Sequence, residues 1–348
     1  IDFLKKLFEQ PDELCIRVSN YTGDLNKLKN HIFTASAYWG VYTKIYFVQV
    51  SNIEDKYEHR DEYIEILRKY WGYSSYRKLP VYNMSKLENG EKEVIQVSQE
   101  NIISNLVQQV ENCGEGKDFR DIFVTAPTGA GKSVMFQVPA IYLAEKYNLL
   151  TIVISPLIGL MNDQVKNLEL KNYTYAKTIN SDISPIVKQD IIDKVADGQY
   201  HILYISPETL LSRSDVEQLI GNRTIGMIII DEAHIVTTWG KQFRPDYWYL
   251  GDHIKKLRKK QIQNPDKRKS FVIATFTATA IYRGLEDMYI ETINSLHMLS
   301  PITYLGYVKR NDIDIVIDKS KKDKNERSEY ELDKFEQIEN VIKRAIIT

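Results

Sequence analysis

Apolar positions along this chain fall into two alternating patterns after residue 120. Short runs with nearly every position apolar are separated by stretches with helical spacing. The runs are Ile122–Val124, Leu149–Ile154, Tyr175–Ile179, His201–Ile205, Ile225–Ile230 and Phe271–Thr275. Runs of this length and composition predict strands buried on both faces, as in a parallel sheet. Between them, Leu157–Leu168, Ile186–Ala196 and Glu208–Leu219 have the spacing of amphipathic helices. Strand alternating with helix predicts a doubly wound α/β domain, whose chemistry belongs at the C-terminal ends of its strands.

The pattern upstream is less regular. Ile1–Phe8 and Leu25–Trp39 read as helices, and Leu14–Val18 and Tyr46–Val50 as strands. Together they predict a small α+β accessory region over residues 1–56. Tyr57–Trp71 is a helix with an apolar face of Tyr63, Ile64, Ile66, Leu67, Tyr70 and Trp71, stopped by Gly72. The punctuated stretch to Val97, with Pro80, Asn89 and Gly90, reads as a loop or hairpin. Gln99 opens another helix through Ile102, Ile103, Leu106, Val107 and Val110, and Cys113–Lys117 is a turn. At the far end, Ile302–Val308 and Ile313–Ile317 look like late strands or a hinge. Lys319–Arg327 is a polar, lysine-rich linker, and Tyr330–Ile347 has helical spacing.

Asp121–Gln137, DIFVTAPTGAGKSVMFQ, joins a strand to a glycine-punctuated turn and then to a helix start. That succession is a phosphate cradle, because backbone N–H groups and the positive end of the helix dipole converge on an anion. Thr128, Gly129, Ala130 and Gly131 form the turn. Lys132 can reach the β- and γ-phosphates of a nucleotide, and the Ser133 hydroxyl can ligate Mg²⁺. Ala126 stands at the position where the usual pattern begins with glycine. A cradle of this kind needs a second carboxylate for the metal at a neighbouring strand end. Asp231-Glu232-Ala233-His234 follows the most apolar strand, 99 residues after Lys132. Asp231 fits the metal, and Glu232 fits the base that orients an attacking water.

Other polar motifs also follow strands. Ser155-Pro156-Leu157 and Ser206-Pro207-Glu208 place hydroxyls at helix starts, where they can cap the helix or meet a phosphate. Thr277-Ala278-Thr279-Ala280 follows the last core strand. Trp239, Phe243 and Arg244 lie in a loop just after His234, and such residues stack on bases and pair with phosphate. The basic stretches Lys255–Lys260 and Lys267–Lys269 read as a solvated helix face. Ten of the 23 tyrosines precede residue 90, as core and rim of a small domain or as surfaces for bases.

Composition narrows the partners. The 348 residues suffice for one large domain with an appendage. A net charge of −1 leaves no global nucleic-acid footprint, so any such contact must be local. Cys15 and Cys113 suggest neither a disulfide framework nor a metal cluster, which points to a reducing, cytoplasmic setting. No apolar run approaches a membrane span. The absent initial methionine and the linker-like end suggest a fragment of a longer protein.

Taken together these motifs resemble the first RecA-like lobe of a superfamily 2 helicase, and specifically the RecQ family, from about Tyr63 to Ile317. Ala126–Ser133 is similar to Walker A and Asp231–His234 to the D-E-A-H box. Ser155–Gln164 is similar to the RecQ form of motif Ia, Ser206–Glu208 to motif Ib and Thr277–Ala280 to motif III. His234–Arg244 resembles the aromatic-rich loop that couples DNA binding to hydrolysis in RecQ proteins, with Gln242 where that loop usually has an acid. Trp71–Arg77 and Gln99–Ile103 resemble two halves of the adenine-reading motif, separated by 22 positions, so an insertion at about 78–97 splits it.

The resemblance implies a RecA-like lobe over 57–318 and a linker towards a second lobe over 319–348. It implies ATP and Mg²⁺, with adenine contacts from Tyr73, Arg77 and Gln99. Single-stranded DNA is implied across Ser155, Ser206, Trp239, Phe243 and Arg244, with coupling through His234, Thr277 and Thr279. The implied activity is ATP-dependent movement on DNA, 3′→5′ by family habit. A nucleotide-switched assembly subunit that unwinds nothing is the alternative, with residues 1–56 docking a protein partner.

Family members hold the nucleotide between two lobes, with an arginine finger on the second. This chain alone is therefore expected to bind nucleotide weakly and to show negligible DNA-stimulated turnover. A phosphate-release assay with single-stranded DNA checks this, and strong stimulation would refute it.

Overall fold

A computed structural model describes residues 13–19, 25–38, 44–50, 59–88, 90–211, 220–221, 223–237, 247–264, 270–278, 287–307 and 327–347. Two compact units divide the chain, Ile1–Val308 and Lys309–Thr348. The described part of the second unit is one helix, Arg327–Ile347.

In the first unit, β1 (Glu13–Ser19), α1 (Leu25–Tyr38) and β2 (Lys44–Val50) form a βαβ unit. The two strands are parallel, in register from Glu13↔Lys44 to Ser19↔Val50. Parallel neighbours need a crossover, and α1 lies between them in sequence. Next come α2 (Arg60–Trp71), β3 (Lys78–Tyr82), a short helix α3 (Met84–Glu88), β4 (Val94–Ser98) and α4 (Gln99–Glu115). The expected hairpin is present: β3 and β4 pair antiparallel from Lys78↔Ser98 to Tyr82↔Val94.

The main domain follows as β5 (Ile122–Thr125), α5 (Lys132–Tyr147), β6 (Leu150–Ile154), α6 (Ile158–Leu170), β7 (Ala176–Ile179), α7 (Pro185–Ala196), β8 (Ile202–Ile205), α8 (Pro207–Leu211), β9 (Ile225–Asp231), α9 (Tyr247–Gln263), β10 (Val272–Thr277), α10 (Met288–Ser295) and β11 (Ile302–Leu305). Seven strands form one sheet in the order β11-β5-β10-β9-β6-β8-β7, every pair parallel. This is the RecA-like, doubly wound architecture expected. Of the helix expected over Glu208–Leu219, the described residues show α8. The expected helix Ile1–Phe8 and strand Ile313–Ile317 lie outside the described residues. The helix Met288–Ser295 was not anticipated.

Every residue of β5, β6, β8, β9 and β10 is buried. Alternate residues face opposite helical layers, as the pleat requires. Met227 and Ile229 of β9 pack with α2, α4, α5 and α6, while Ile228 and Ile230 pack with α7, α8, α9 and α10. The edge strands β7 and β11 are only partly covered. Among the described residues no helix is long and apolar enough to cross a membrane.

One buried ion pair pins the sheet at the N-terminal ends of its central strands. Asp121, fully buried just before β5, accepts from Arg258 Nη2 at 2.5 Å, Ile273 N at 2.7 Å and Leu299 N at 2.6 Å. Arg258 lies on α9, inside the basic stretch read as solvated, and also donates to the Phe271 carbonyl. Lys256, Lys259 and Lys260 are exposed as expected, but Arg258 is buried. Removing one partner of a buried pair leaves an uncompensated charge, at a cost of about 3–5 kcal/mol. Asp121→Ala is therefore expected to lower stability by about that amount, read from the urea unfolding midpoint. A loss below about 1 kcal/mol would contradict this role.

Candidate nucleotide and nucleic-acid site

The glycine loop leaves β5 and enters α5, as its sequence demands. Gly131 is the N-cap of α5, with φ 76°. That positive φ favours glycine, and a Cβ there would sit 2.6 Å from the Gln99 amide nitrogen and displace that side chain. Ala126, at the pattern's first position, is buried and donates its N–H to the Thr277 carbonyl at 3.0 Å. Gly306 lies against it: a Cβ on Gly306 would fall 2.4 Å from the Thr125 carbonyl oxygen and 3.2 Å from Ala126 Cα. Lys132 Nζ donates to the Ala126 carbonyl at 3.1 Å. Ser133 Oγ accepts from Gln164 Nε2 at 2.7 Å.

The hairpin closes the gap in the split motif. With Lys78 opposite Ser98, Arg77 and Gln99 meet at the open end of the ladder. Gln99 N donates to the Arg77 carbonyl at 2.9 Å, and Arg77 N donates to Gln99 Oε1 at 3.1 Å. Gln99 Nε2 then donates to the Ala130 carbonyl, in the glycine loop, at 2.8 Å. A separation of 22 residues thus vanishes in space. Tyr73 and Arg77 are exposed on the loop between α2 and β3, which Tyr76 anchors by donating to the Tyr63 carbonyl at 2.8 Å.

Asp231 ends β9 and is buried; Glu232 follows with a left-handed backbone, φ 51° and ψ 46°. That conformation is uncommon for glutamate and turns its side chain away from the strand. His234 Nδ1 lies 3.3 Å from Glu232 Oε2 and 3.1 Å from Thr277 Oγ1. One ring nitrogen therefore joins the acid after β9 to the hydroxyl ending β10. The two carboxyls are driven apart in proton affinity. Burial, and secondarily Glu232, push Asp231 up to about 6, while the His234 contact holds Glu232 below the usual range. Lys132 lowers both carboxyls.

Ser155 and Ser206 follow the adjacent strands β6 and β8, but their hydroxyls turn inward. Ser155 is buried, its Oγ without a hydrogen-bond partner. Ser206 Oγ lies 2.9 Å from Thr209 Oγ1 and accepts from Thr209 N at 3.3 Å, the capping arrangement of a helix start. Trp239, Phe243, Arg244 and Thr279 lie outside the described residues. The sequence places Gln164 only at the end of the segment similar to motif Ia and gives Gln137 no task. Gln137 is a polar residue in the apolar run Val-Met-Phe-Gln-Val, four after Ser133, and that was the available signal.

Residues 97–288 match the family description DEAD/DEAH box helicase, more than half of the chain. The chain belongs to the DEAD/DEAH box helicase family. Its curated relatives are of the RecQ kind, and the chain is a divergent RecQ-like member of superfamily 2. It is 38% identical over 177 residues to the ATP-dependent DNA helicase RecQ of Synechocystis sp., covering 50% of this chain and 34% of that protein. It is 34% identical to the probable ATP-dependent DNA helicase RecS of Bacillus subtilis, covering 56% and 35%. It is 32% identical to RecQ of Haemophilus influenzae over 250 residues, covering 72% and 32%. The chain thus spans about a third of the length of these relatives.

This helicase lobe fits a magnesium nucleotide by its own chemistry. Its loop carries Gly129 and Gly131 at positive φ before the N-terminus of α5, where backbone N–H groups favour an anion, and Ser133 and Asp231 are oxygen ligands suited to a hard cation. The acid pair also makes a prediction for the free protein. An unfolded aspartate ionises near pH 4, whereas folded Asp231 holds its proton until about 6. The folded state binds more protons in that window, so stability falls as pH rises through it. Asp231→Asn is expected to raise nucleotide-free stability at pH 7.5 by about 1–3 kcal/mol and to leave stability at pH 4 nearly unchanged. Thermal melts across pH 4–8 check this; an equal effect at both ends would contradict it.

Proposed function

We propose that this chain supplies the ATP-binding lobe of a RecQ-like DNA helicase or translocase, 3′→5′ by the habit of that family. The observation that carries the reading is the single His234 nitrogen within reach of both Glu232 and Thr277. It ties the residue placed to activate water to the strand end beside the glycine loop. Loss or gain of a phosphate at the loop can therefore reach the polar rim through one side chain. DNA as the track rests on the relatives, two of them ATP-dependent DNA helicases and the third a probable one.

In this reading, Lys132 exchanges the Ala126 carbonyl for the β- and γ-phosphates. Ser133 and Asp231 hold Mg²⁺, which neutralises charge developing on the phosphates. Glu232, kept ionised by His234, orients the attacking water and takes its proton. Arg77 and Gln99 read the adenine edge, and Tyr73 offers a ring for stacking. Single-stranded DNA crosses the C-terminal ends of β6 and β8. The inward hydroxyls of Ser155 and Ser206 leave phosphate contact there to the first-turn N–H groups of α6. Trp239, Phe243 and Arg244 complete the track and couple it to His234.

The test is steady-state ATP hydrolysis by the full-length protein, with and without single-stranded DNA. Glu232→Gln is expected to cut turnover by about a hundredfold or more with nucleotide binding retained. Trp239→Ala is expected to abolish stimulation by DNA and spare the basal rate. Basal turnover indifferent to DNA in the unaltered protein would overturn the motor reading and favour a nucleotide-switched assembly subunit.

A further inference from the structure

Four side chains form a continuous hydrogen-bonded chain behind the glycine loop. Ser133 Oγ accepts from Gln164 Nε2 at 2.7 Å. Gln164 Oε1 accepts from Gln137 Nε2 at 2.8 Å, and the same Gln137 nitrogen donates to Tyr204 Oη at 2.9 Å. Ser133 and Gln137 are four apart on α5, so they share a face. Gln164 reaches them from α6, and Tyr204 comes from β8. Gln137 and Tyr204 are almost fully buried, at 3% and 1% exposure. A buried amide held from two directions has no freedom to turn, so Gln137 fixes the orientation of Gln164. Its amide nitrogen is thereby presented to Ser133.

We propose that Gln164 is a positioning residue for the metal at the nucleotide site, acting through Ser133. The inference rests on the nucleotide reading above and deepens it. A serine hydroxyl in the first turn of a helix is free to rotate among staggered positions, and only one of them suits a metal. Gln164 occupies one lone pair of Ser133 Oγ and so selects the rotamer, leaving the second lone pair for the cation. Phosphate contacts do not pass through Gln164: the loop N–H groups and Lys132 make those. The residue's effect belongs to magnesium and not to the nucleotide itself. Gln164 also sits on the helix that follows Ser155, so the metal ligand and the motif Ia segment are joined by one side chain.

The experiment titrates a fluorescent, non-hydrolysable ATP analogue into the full chain, in EDTA and across a Mg²⁺ series. The variants are Gln164→Met, Ser133→Ala and the double variant, with Gln164→Ala beside them. Met is similar in volume and a strong helix former, and Gln164 is only partly buried, so the lobe should stay folded; melting curves check this. Loss of one hydrogen bond is expected to raise the Mg²⁺ needed for half-maximal binding about fivefold in both Gln164 variants. Affinity in EDTA should stay within about twofold of the unaltered chain, and the double variant should be no worse than Ser133→Ala. Three results would overturn the inference alone: an unchanged Mg²⁺ requirement, an equal loss with and without Mg²⁺, or additive single variants. An unaltered chain that binds the analogue in neither condition would overturn the nucleotide reading, and the inference with it.

Discussion

The site depends on the register of three neighbouring strands. β10 lies between β5 and β9, with Thr277 opposite Thr125 and Phe276 opposite Asp231. That register brings the glycine loop, the acid pair and Thr277 to one rim of the sheet. At the other end, Asp121 and Arg258 lock the start of β5 to β10 and α9. A parallel ladder fixes both ends together, because all its strands run the same way. Slippage by one residue would reverse every side chain and break both the apolar layers and the rim. The same pairing that buries the core therefore places the chemistry.

Adjacent carboxyls then acquire different work from their surroundings. Asp231 is continuous with a buried strand, so desolvation raises its proton affinity. Glu232 leaves the strand through a left-handed turn, stays partly buried, and meets His234, whose contact outweighs that burial and lowers its own. Two identical functional groups one residue apart thus differ in proton affinity, as the separate tasks proposed for them require. The hairpin β3–β4 performs a comparable service for the two segments proposed to read adenine. It pairs its own strands, returns Gln99 to Arg77, and also meets the exit of β11, where Tyr307 N donates to the Pro80 carbonyl at 2.9 Å and Val81 bridges Gly306. The 22 positions between Arg77 and Gln99 do not separate them, because an antiparallel ladder begins and ends at the same place.

Much of the fold was legible because its signals are local. Near-continuous apolar runs such as Ile225–Ile230 marked the fully buried strands, and the succession Thr125–Ser133 marked the loop between strand and helix. Lys132, Ser133, Asp231, Glu232, His234 and Thr277 stand out as candidates for the same reason: each ends a strand or follows one. What sequence could not show were contacts across the fold. Arg258 looked solvated among lysines, yet its partner Asp121 is 137 positions away. Gln164 closes the segment similar to motif Ia and Gln137 is a lone polar residue in an apolar run, and nothing in the sequence joins the two. Arg77 and Gln99 were recognisable as halves, but only the ladder between them shows that they touch. The inward turn of Ser155 and Ser206 depends on how their helices start, which spacing does not encode.

The central claim is that Arg77, Gln99 and the glycine loop form one nucleotide site despite the insertion between them. Equilibrium binding of ATP and GTP analogues to the chain, with and without Gln99→Ala, tests it most directly. The account predicts at least a tenfold preference for the adenine nucleotide, since each mismatched hydrogen bond costs about 1 kcal/mol or more, and predicts that Gln99→Ala removes most of it. Equal affinity for the two bases, or a preference that survives Gln99→Ala unchanged, would contradict it.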